Sequence, residues 1–240
     1  MRQDAEARAQ MYGLLSAVFL HPPTGDLLRQ ITDREFLADL SAFFSREAIS
    51  ELEAFAAGAS VEADLGSLRQ EYMDLFAVPT GRYVSPFEDV YRGESMDGQP
   101  ARGPLLGERA IAVRRLYREA GAEMGPECKE LPTHIGVELS FMSFLCERER
   151  EAVSHDEHCL ATGDGAAARC RALQRTFLLG HLNAWFPQLC KAIHAKAKSR
   201  LYRALASITE EFLARDAVEL LLRAPADEGR PSGAAAGIAV

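Results

Sequence analysis

The sequence has no run of about 18 uninterrupted apolar residues, so no part of it is expected to cross a membrane as a helix. It also has no clear secretory leader. The first apolar run, Leu14 to Leu20, is short and broken by Ser16, and Asp4 and Glu6 precede it where a leader would be basic. That start reads as an amphipathic first helix. The five cysteines, Cys128, Cys146, Cys159, Cys170 and Cys190, are odd in number and form no C-x-x-C. A disulfide framework or zinc ribbon is therefore not expected, and reduced thiols in a cytoplasmic protein are. No G-x-x-x-x-G-K-[ST] or G-x-G-x-x-G loop is present to cradle phosphate, which leaves nucleotide regulation without a site. No G-x-S-x-G elbow is present either. Basic residues are outnumbered, 27 against 35, for a net charge of −8 over 240 residues. Such a surface repels nucleic acid and favours basic partners. Without a basic recognition helix, a DNA-binding regulator is disfavoured.

What the chain does have is helical periodicity. Ala5 to Leu20 is periodic and stops before His21-Pro22-Pro23. Asp33 is expected to cap a helix to about Phe44, and Ser45 the next, to about Gly58. Asp64 opens a helix through Ala77, with Leu65, Leu68, Tyr72, Leu75 and Phe76 on one side. Further helices are expected over about Pro104–Ala120, Pro132–Val153, Ala166–Ala184, Gln188–Ala195 and Lys198–Leu222, with Pro187 interrupting the chain between two of them. The fold class is all-α: a single helical bundle of about eight to ten helices over 1–223. The Pro/Gly-rich stretch 224–240 is expected to be disordered.

Between two of these helices lies a long loop, Val78 to Gly103, carrying RYVSPFEDVYRG. Long loops in compact domains are often functional. Tyr83, Phe87 and Tyr91 are four apart and could plug the core. They could equally form a peptide-binding rim, since aromatics give large contact area at low entropic cost and Pro86 stiffens the backbone. His134 and Glu138 share a helix face but lack the H-E-x-x-H of a zincin, so a buried polar histidine is the simpler reading. His155-x-x-His158-Cys159, with Cys170 as a fourth donor, has possible metal-ligand spacing, and a helical metal-binding protein or hydrolase is the competing reading. A solvated linker accounts for the same residues. His181 and Trp185, also four apart, suit either core packing or a groove.

Three stretches carry a family resemblance. EYMDLFAVPTGRYVSPFEDVYRGESM resembles the E-[FYW]-x-x-L-F … P-[YF]-E-S-V-Y block of the TorD/DmsD/NarJ family. KELPTHIGVELSFMSFL is similar to its E-x-P-D-H-I-x-x-E-L-x-F-M block, and FLLGHLNAWFPQLCKAI to its F-x-x-x-H-L-x-x-W-x-P-x-F block. The order matches, and the blocks cover roughly Leu68 to Tyr202. The resemblance implies an all-helical cytoplasmic chaperone, not an enzyme and without a cofactor of its own. Its partner would be the catalytic subunit of a molybdenum-cofactor oxidoreductase, bound as apo-enzyme at its N-terminal signal segment until the cofactor is inserted. No nucleic acid or membrane partner is implied, and the chain would be a monomer or dimer.

Residue by residue, the resemblance carries signal binding onto Tyr72, Leu75 and Phe76, onto Pro86, Phe87, Glu88 and Tyr91 of the loop, onto Gly107 of the next helix, and onto His134 and Glu138. The chain departs from the pattern twice. Thr133 stands where the family has Asp, and Asp89 stands where it has Ser. Glu130, Glu138, Glu88 and Asp89 are the acids expected to supply the missing negative field.

Overall fold

The computed structural model describes residues 5–79, 81–94, 100, 101, 103–156 and 164–223. Among these the chain forms α1 (Ala5–Leu20), α2 (Gly25–Ile31), α3 (Arg34–Phe43), α4 (Arg46–Ala56), α5 (Val61–Tyr72), α6 (Glu88–Tyr91), α7 (Glu108–Glu119), α8 (Ile135–Asp156), α9 (Asp164–Phe177), α10 (Asn183–Lys196) and α11 (Arg200–Leu222). Two π-helical stretches, Met73–Ala77 and Leu178–Leu182, continue α5 and join α9 to α10. A two-residue antiparallel ribbon pairs Gly93–Glu94 with Pro100–Ala101. The expected all-α bundle is therefore present, and its helix number exceeds the expected range only if the single turn α6 is counted. The segment 224–240 lies outside the described residues.

The start signals read from sequence are made by side chains. Asp33 accepts from the backbone N–H groups of Glu35 and Phe36 at 3.0 and 3.1 Å, and Ser45 accepts from that of Ala48 at 3.3 Å. Thr24 caps α2 in the same way, through Leu27 N–H at 3.1 Å, a short helix that the periodicity did not announce. Helix α5 begins three residues before Asp64. The Asp64 carboxylate reaches back to Ser60 N–H at 2.8 Å, so the acid belongs to the first turn and is not the cap.

Pro187 does not interrupt the chain as expected. It lies inside α10, where the one bond that it deletes would have gone to the carbonyl of Asn183, at the junction with the π-helical stretch.

The core is one continuous cluster. Helix α8 occupies its centre, as its apolar composition suggested, and α1 lies along it. Ser16 Oγ donates to the Gly136 carbonyl at 2.7 Å, and Ser143 Oγ donates to the Ala9 carbonyl at 2.8 Å. At Gly136 the helices come so close that a Cβ would meet Leu20 Cγ at 2.5 Å. Helix α11 closes the other side, with Tyr12 edge-on to Phe212 at 4.7 Å between centroids.

Inside this apolar cluster sits a fully buried arginine, Arg8. Its guanidinium meets Asp216 through two nitrogens at 2.6 and 2.9 Å, Gln174 at 2.7 Å and Glu149 at 3.3 Å. Tyr12 donates to the same Asp216 carboxylate at 2.6 Å, and Arg171 reaches Glu149 at 3.2 Å. One polar network thus links α1, α8, α9 and α11. Removing one partner of a buried ion pair leaves the other charge desolvated and unmatched, at a cost of about 3–5 kcal/mol. Asp216→Ala is expected to destabilise the fold by that amount in urea unfolding followed by circular dichroism. The double variant Arg8→Met, Asp216→Leu should recover part of the loss.

Candidate functional site

The aromatic loop is held down from both ends by the two π-helical stretches. Widening a helical turn leaves backbone carbonyls without their intrahelical partners. In the first stretch the Leu75 carbonyl accepts from Val84 N–H at 2.7 Å. In the second the Gly180 carbonyl accepts from Arg92 Nη1 at 2.5 Å. Between these anchors the loop pairs with the chain entering α8. Glu88 N–H donates to the Thr133 carbonyl at 2.9 Å, and Ile135 N–H donates to the Pro86 carbonyl at 2.8 Å. Phe87 and His134 face each other across this bridge, their rings edge-on at 5.3 Å.

Under the loop lies a buried cluster of acids and aromatics. Glu88 is fully buried; His181 Nδ1 is 2.8 Å from its Oε2, and Arg92 Nη1 donates to its Oε1 at 2.7 Å. Burial acts to raise the Glu88 pKa, but the bonds and charges of His181 and Arg92 prevail and hold it below the usual carboxylate range. Glu138, also fully buried, accepts from Trp185 Nε1 at 3.0 Å. Burial, then the nearby Glu88 charge, push its pKa well above the usual carboxylate value and favour its protonated form. Its Oε1 makes no hydrogen bond of ordinary geometry. Asp89 accepts from Thr133 Oγ1 at 2.6 Å. His134 is 3 % exposed and accepts from Gly136 N–H through Nδ1 at 3.1 Å. Burial, with a smaller contribution from His21, lowers its pKa to about 4, so it is neutral at pH 7.

Space beside the loop is set by glycines. At Gly103 a Cβ would lie 2.1 Å from the Asp89 carbonyl oxygen, closer than two backbones can tolerate. At Gly107, which precedes the first turn of α7, a Cβ would come within 3.6 Å of Asp89 Oδ1. A mixed-charge cavity of about 370 Å³ opens there, lined by Asp89, Arg92, Gly107, Glu108 and Arg109 among others.

The residues singled out from sequence divide into two groups. Phe87, Tyr91 and Gly107 are half-buried and reach the surface. Pro86, Glu88, His134 and Glu138 are buried directly beneath them. Tyr72, Leu75 and Phe76 are core residues and do not form a surface-facing binding face. Tyr72 donates to the Phe19 carbonyl at 2.9 Å, Phe76 is edge-on to Phe19 and Tyr202, and Leu75 is fully buried. The stripe that suggested a binding face is the stripe by which α5 enters the core.

The core-plug reading of the loop is realised at Tyr91. Tyr91 stacks on the buried Trp185 at 5.4 Å, while its ring stays partly exposed. His181 and Trp185 prove to be core residues that also build the floor of the site. Thr133, Asp89 and Arg92 complete that floor. Arg92 was not anticipated: one of its acceptors, Glu88, is four residues back, but the other, the Gly180 carbonyl, is 88 residues away. Of the alternative metal cluster, His158, Cys159 and the side chain of His155 lie outside the described residues. Among the described residues no group of three His, Cys, Asp or Glu side chains converges as metal ligands would.

A profile of the family described as nitrate reductase delta subunit matches residues 42–191. The chain belongs to that family. Its curated relatives include Chaperone protein TorD of Aeromonas salmonicida, 29 % identical over 227 residues that cover 92 % of this chain and 95 % of the relative. Chaperone protein TorD of Shewanella loihica is 24 % identical over 215 residues, covering 88 % and 92 %. The selenate reductase assembly chaperone protein of Thauera selenatis is 29 % identical over 132 residues, covering 54 % and 58 %.

The two departures from the resembled pattern meet in the structure. The carboxylate absent at Thr133 stands at Asp89, and the two side chains meet at 2.6 Å. The expected acid and hydroxyl have exchanged places across a single hydrogen bond.

Opposite pH effects follow for two buried groups. His134 is neutral when folded but binds a proton near pH 6.5 when unfolded, so it contributes stability that is lost as pH falls from about 6.5 to about 4. Over 2.5 units this is about 3 kcal/mol. Wild type should lose about that much relative to His134→Gln between pH 7 and pH 4 in urea titrations. Glu138 acts the other way, because it must take up a proton on folding above pH 4.5. Glu138→Gln, which can still accept from Trp185, should therefore gain stability relative to wild type as pH rises above 4.5.

Proposed function

We propose that this protein is a redox-enzyme maturation chaperone. It binds the N-terminal signal segment and apo form of a molybdenum-cofactor oxidoreductase catalytic subunit in the cytoplasm and holds it until the cofactor is inserted. The observation that carries the reading is the loop built over the Glu88–His181–Trp185 floor. It presents two half-exposed aromatics, Phe87 and Tyr91, on a rigid base in a family whose relatives are named as TorD and reductase assembly chaperones.

A signal segment combines basic and apolar residues. Fixed aromatic rings give it contact area at little entropic cost, and the net charge of −8 favours its approach, more so at low salt. Binding, not catalysis, suits the cluster. Its titratable groups are buried and are engaged with one another and with Arg92 and Trp185. Among the described residues no helix is long and apolar enough to cross a membrane.

Affinity purification of the tagged protein from cells making a molybdoenzyme, followed by mass spectrometry, tests the reading. The expected partner is a large oxidoreductase subunit that retains its N-terminal segment; its absence would overturn the proposal. Interface aromatics commonly contribute about 1–2 kcal/mol or more each. Phe87→Ala combined with Tyr91→Ala should weaken binding of that subunit at least tenfold while the far-ultraviolet spectrum stays unchanged.

A further inference from the structure

Helix α7 carries a charge opposite to that of the rest of the chain. Over Glu108–Glu119 four arginines, Arg109, Arg114, Arg115 and Arg118, stand against Glu108 and Glu119 at its two ends, for a net of +2. In a chain at −8 this leaves −10 for the remainder. The inner face of the helix packs into the core. Val113 is fully buried, and Tyr117 meets Phe141 at 4.4 Å between centroids and donates to the Pro132 carbonyl at 2.9 Å. The outer face therefore rests on a fixed base.

On that outer face Ile111, Arg114, Arg115 and Arg118 follow at spacings of three, one and three, and all four are exposed, Ile111 by 66 %. Among the described residues, Arg114, Arg115 and Arg118 make no ion pair or side-chain hydrogen bond. The helix macrodipole favours a cation such as Arg118 in the last turn. It does not account for the row, because Arg114 and Arg118 are four apart and like charges at that spacing repel.

The chain entering α7 is strained. Leu106 is the non-glycine residue at positive φ, +63°, among the described residues, and both it and Leu105 are exposed. The left-handed region is unfavourable for leucine, and strain of this kind clusters at ligand contacts. Exposed aliphatic side chains thus lead into a basic row along one rigid helix.

We propose that the outer face of α7 docks an acidic amphipathic helix of a partner protein, its carboxylates on Arg114, Arg115 and Arg118 and its apolar residues on Ile111 and the Leu105–Leu106 turn. Charge complementarity selects this occupant. A signal segment is basic and is repelled here, so the surface serves a second contact, independent of the one at Phe87 and Tyr91. Nucleic acid and anionic lipid are also negative, but the −10 of the remaining chain repels an extended anionic surface, whereas one acidic helix touches α7 alone. Guanidinium forks hold carboxylates in bidentate pairs, and an exposed aliphatic residue beside them supplies an apolar anchor. From Ile111 to Arg118 the face runs about 10 Å, the length of roughly two turns of a partner helix.

The probe is a fluorescein-labelled helical peptide of Glu and Leu, about 14 residues long, with its leucines on one face; a control replaces each Glu by Lys. Fluorescence anisotropy on the full chain should show the acidic peptide binding and the control not. The triple variant Arg114→Glu, Arg115→Glu, Arg118→Glu should bind the acidic peptide at least tenfold more weakly. The corresponding triple lysine variant should stay within threefold of wild type. Because the three arginines are exposed and unpaired, the thermal unfolding of both variants should match that of wild type.

In cells, a benzoylphenylalanine photocrosslinker in place of Ile111 should attach to an acidic helical segment of another protein, identified by sequencing the crosslinked peptide, and the glutamate changes should abolish that crosslink. The glutamate variant should still capture the oxidoreductase subunit, which reports on the chaperone reading separately; loss of that subunit together with the peptide overturns the assignment to an independent contact. Equal binding of the acidic peptide to wild type and the glutamate variant overturns the inference. A crosslink to a signal segment, to lipid or to a second copy of this chain does so as well, and so does the absence of both peptide binding and a crosslink.

Discussion

The fold turns on how a fully buried guanidinium is satisfied. Moving an arginine out of water is tolerable only if its charge is matched and its donors are used, and Arg8 achieves this with Asp216, Glu149 and Gln174 together. Asp216 is 208 residues away in sequence. The partners therefore exist only when α1, α8, α9 and α11 have all assembled in one register. Hydrophobic packing alone would let helices slide or rotate at modest cost, whereas a displaced Arg8 would lose several bonds at once. The same register places the end of α1 against Gly136, and so fixes one wall of the space beside His134.

The site inverts a simple expectation about charge. The family resemblance asks for acids near a basic ligand, and Glu88, Asp89 and Glu138 lie where those acids were sought. Two of the three present little negative field outward. Glu88 is matched by His181 and Arg92, and burial favours the neutral form of Glu138. Their effect is to lock the loop in place from below. Asp89 keeps one oxygen, Oδ1, directed toward the start of α7 and the cavity beside it, while Glu119, Glu123, Glu127 and Glu130 carry charge at the surface. Rigidity is supplied in the interior and charge at the surface, a division that would lower the ordering cost of the proposed binding.

Much of this was legible in the sequence. The caps at Asp33 and Ser45, the central α8 and the all-α class follow from residue chemistry that acts within a turn or two. Glu88, His134, Glu138, His181 and Trp185, drawn from all three family blocks, meet in one cluster, which the order of the blocks along the chain did not announce. What was not legible depends on distance or on subtle backbone geometry. The Tyr72, Leu75 and Phe76 stripe gives the same periodicity whether it faces solvent or core, and only the packing of Phe19 and Tyr202 decides it. Arg92 finds acceptors on α6 and on the second π-helical stretch. Neither π-helical stretch was read from composition: Met73–Ala77 has no helix breaker, and the single Gly180 in Leu178–Leu182 is tolerated in an α-helix as well. Pro187 was read as a break because a proline's local preference is plain, while the junction that accommodates it is not.

Those stretches carry a consequence for how this chain can change by insertion and deletion. A π-helical turn holds one residue more than the α-helical turn it replaces. Loss of a single residue from Leu178–Leu182 could be absorbed with the helix intact, and even regularised. Because the widened turn and the α-helical turn each make about one revolution, such a loss would leave the flanks nearly in phase but close the widened turn and return its free carbonyls to intrahelical bonds. The Gly180 carbonyl and the His181 ring, which now meet Arg92 and Glu88, would no longer face the loop together. Length in these helices therefore decides whether a carbonyl is free to hold the loop: the chain can keep its helical content and its composition and still lose a contact that holds the loop of Phe87 and Tyr91 in place.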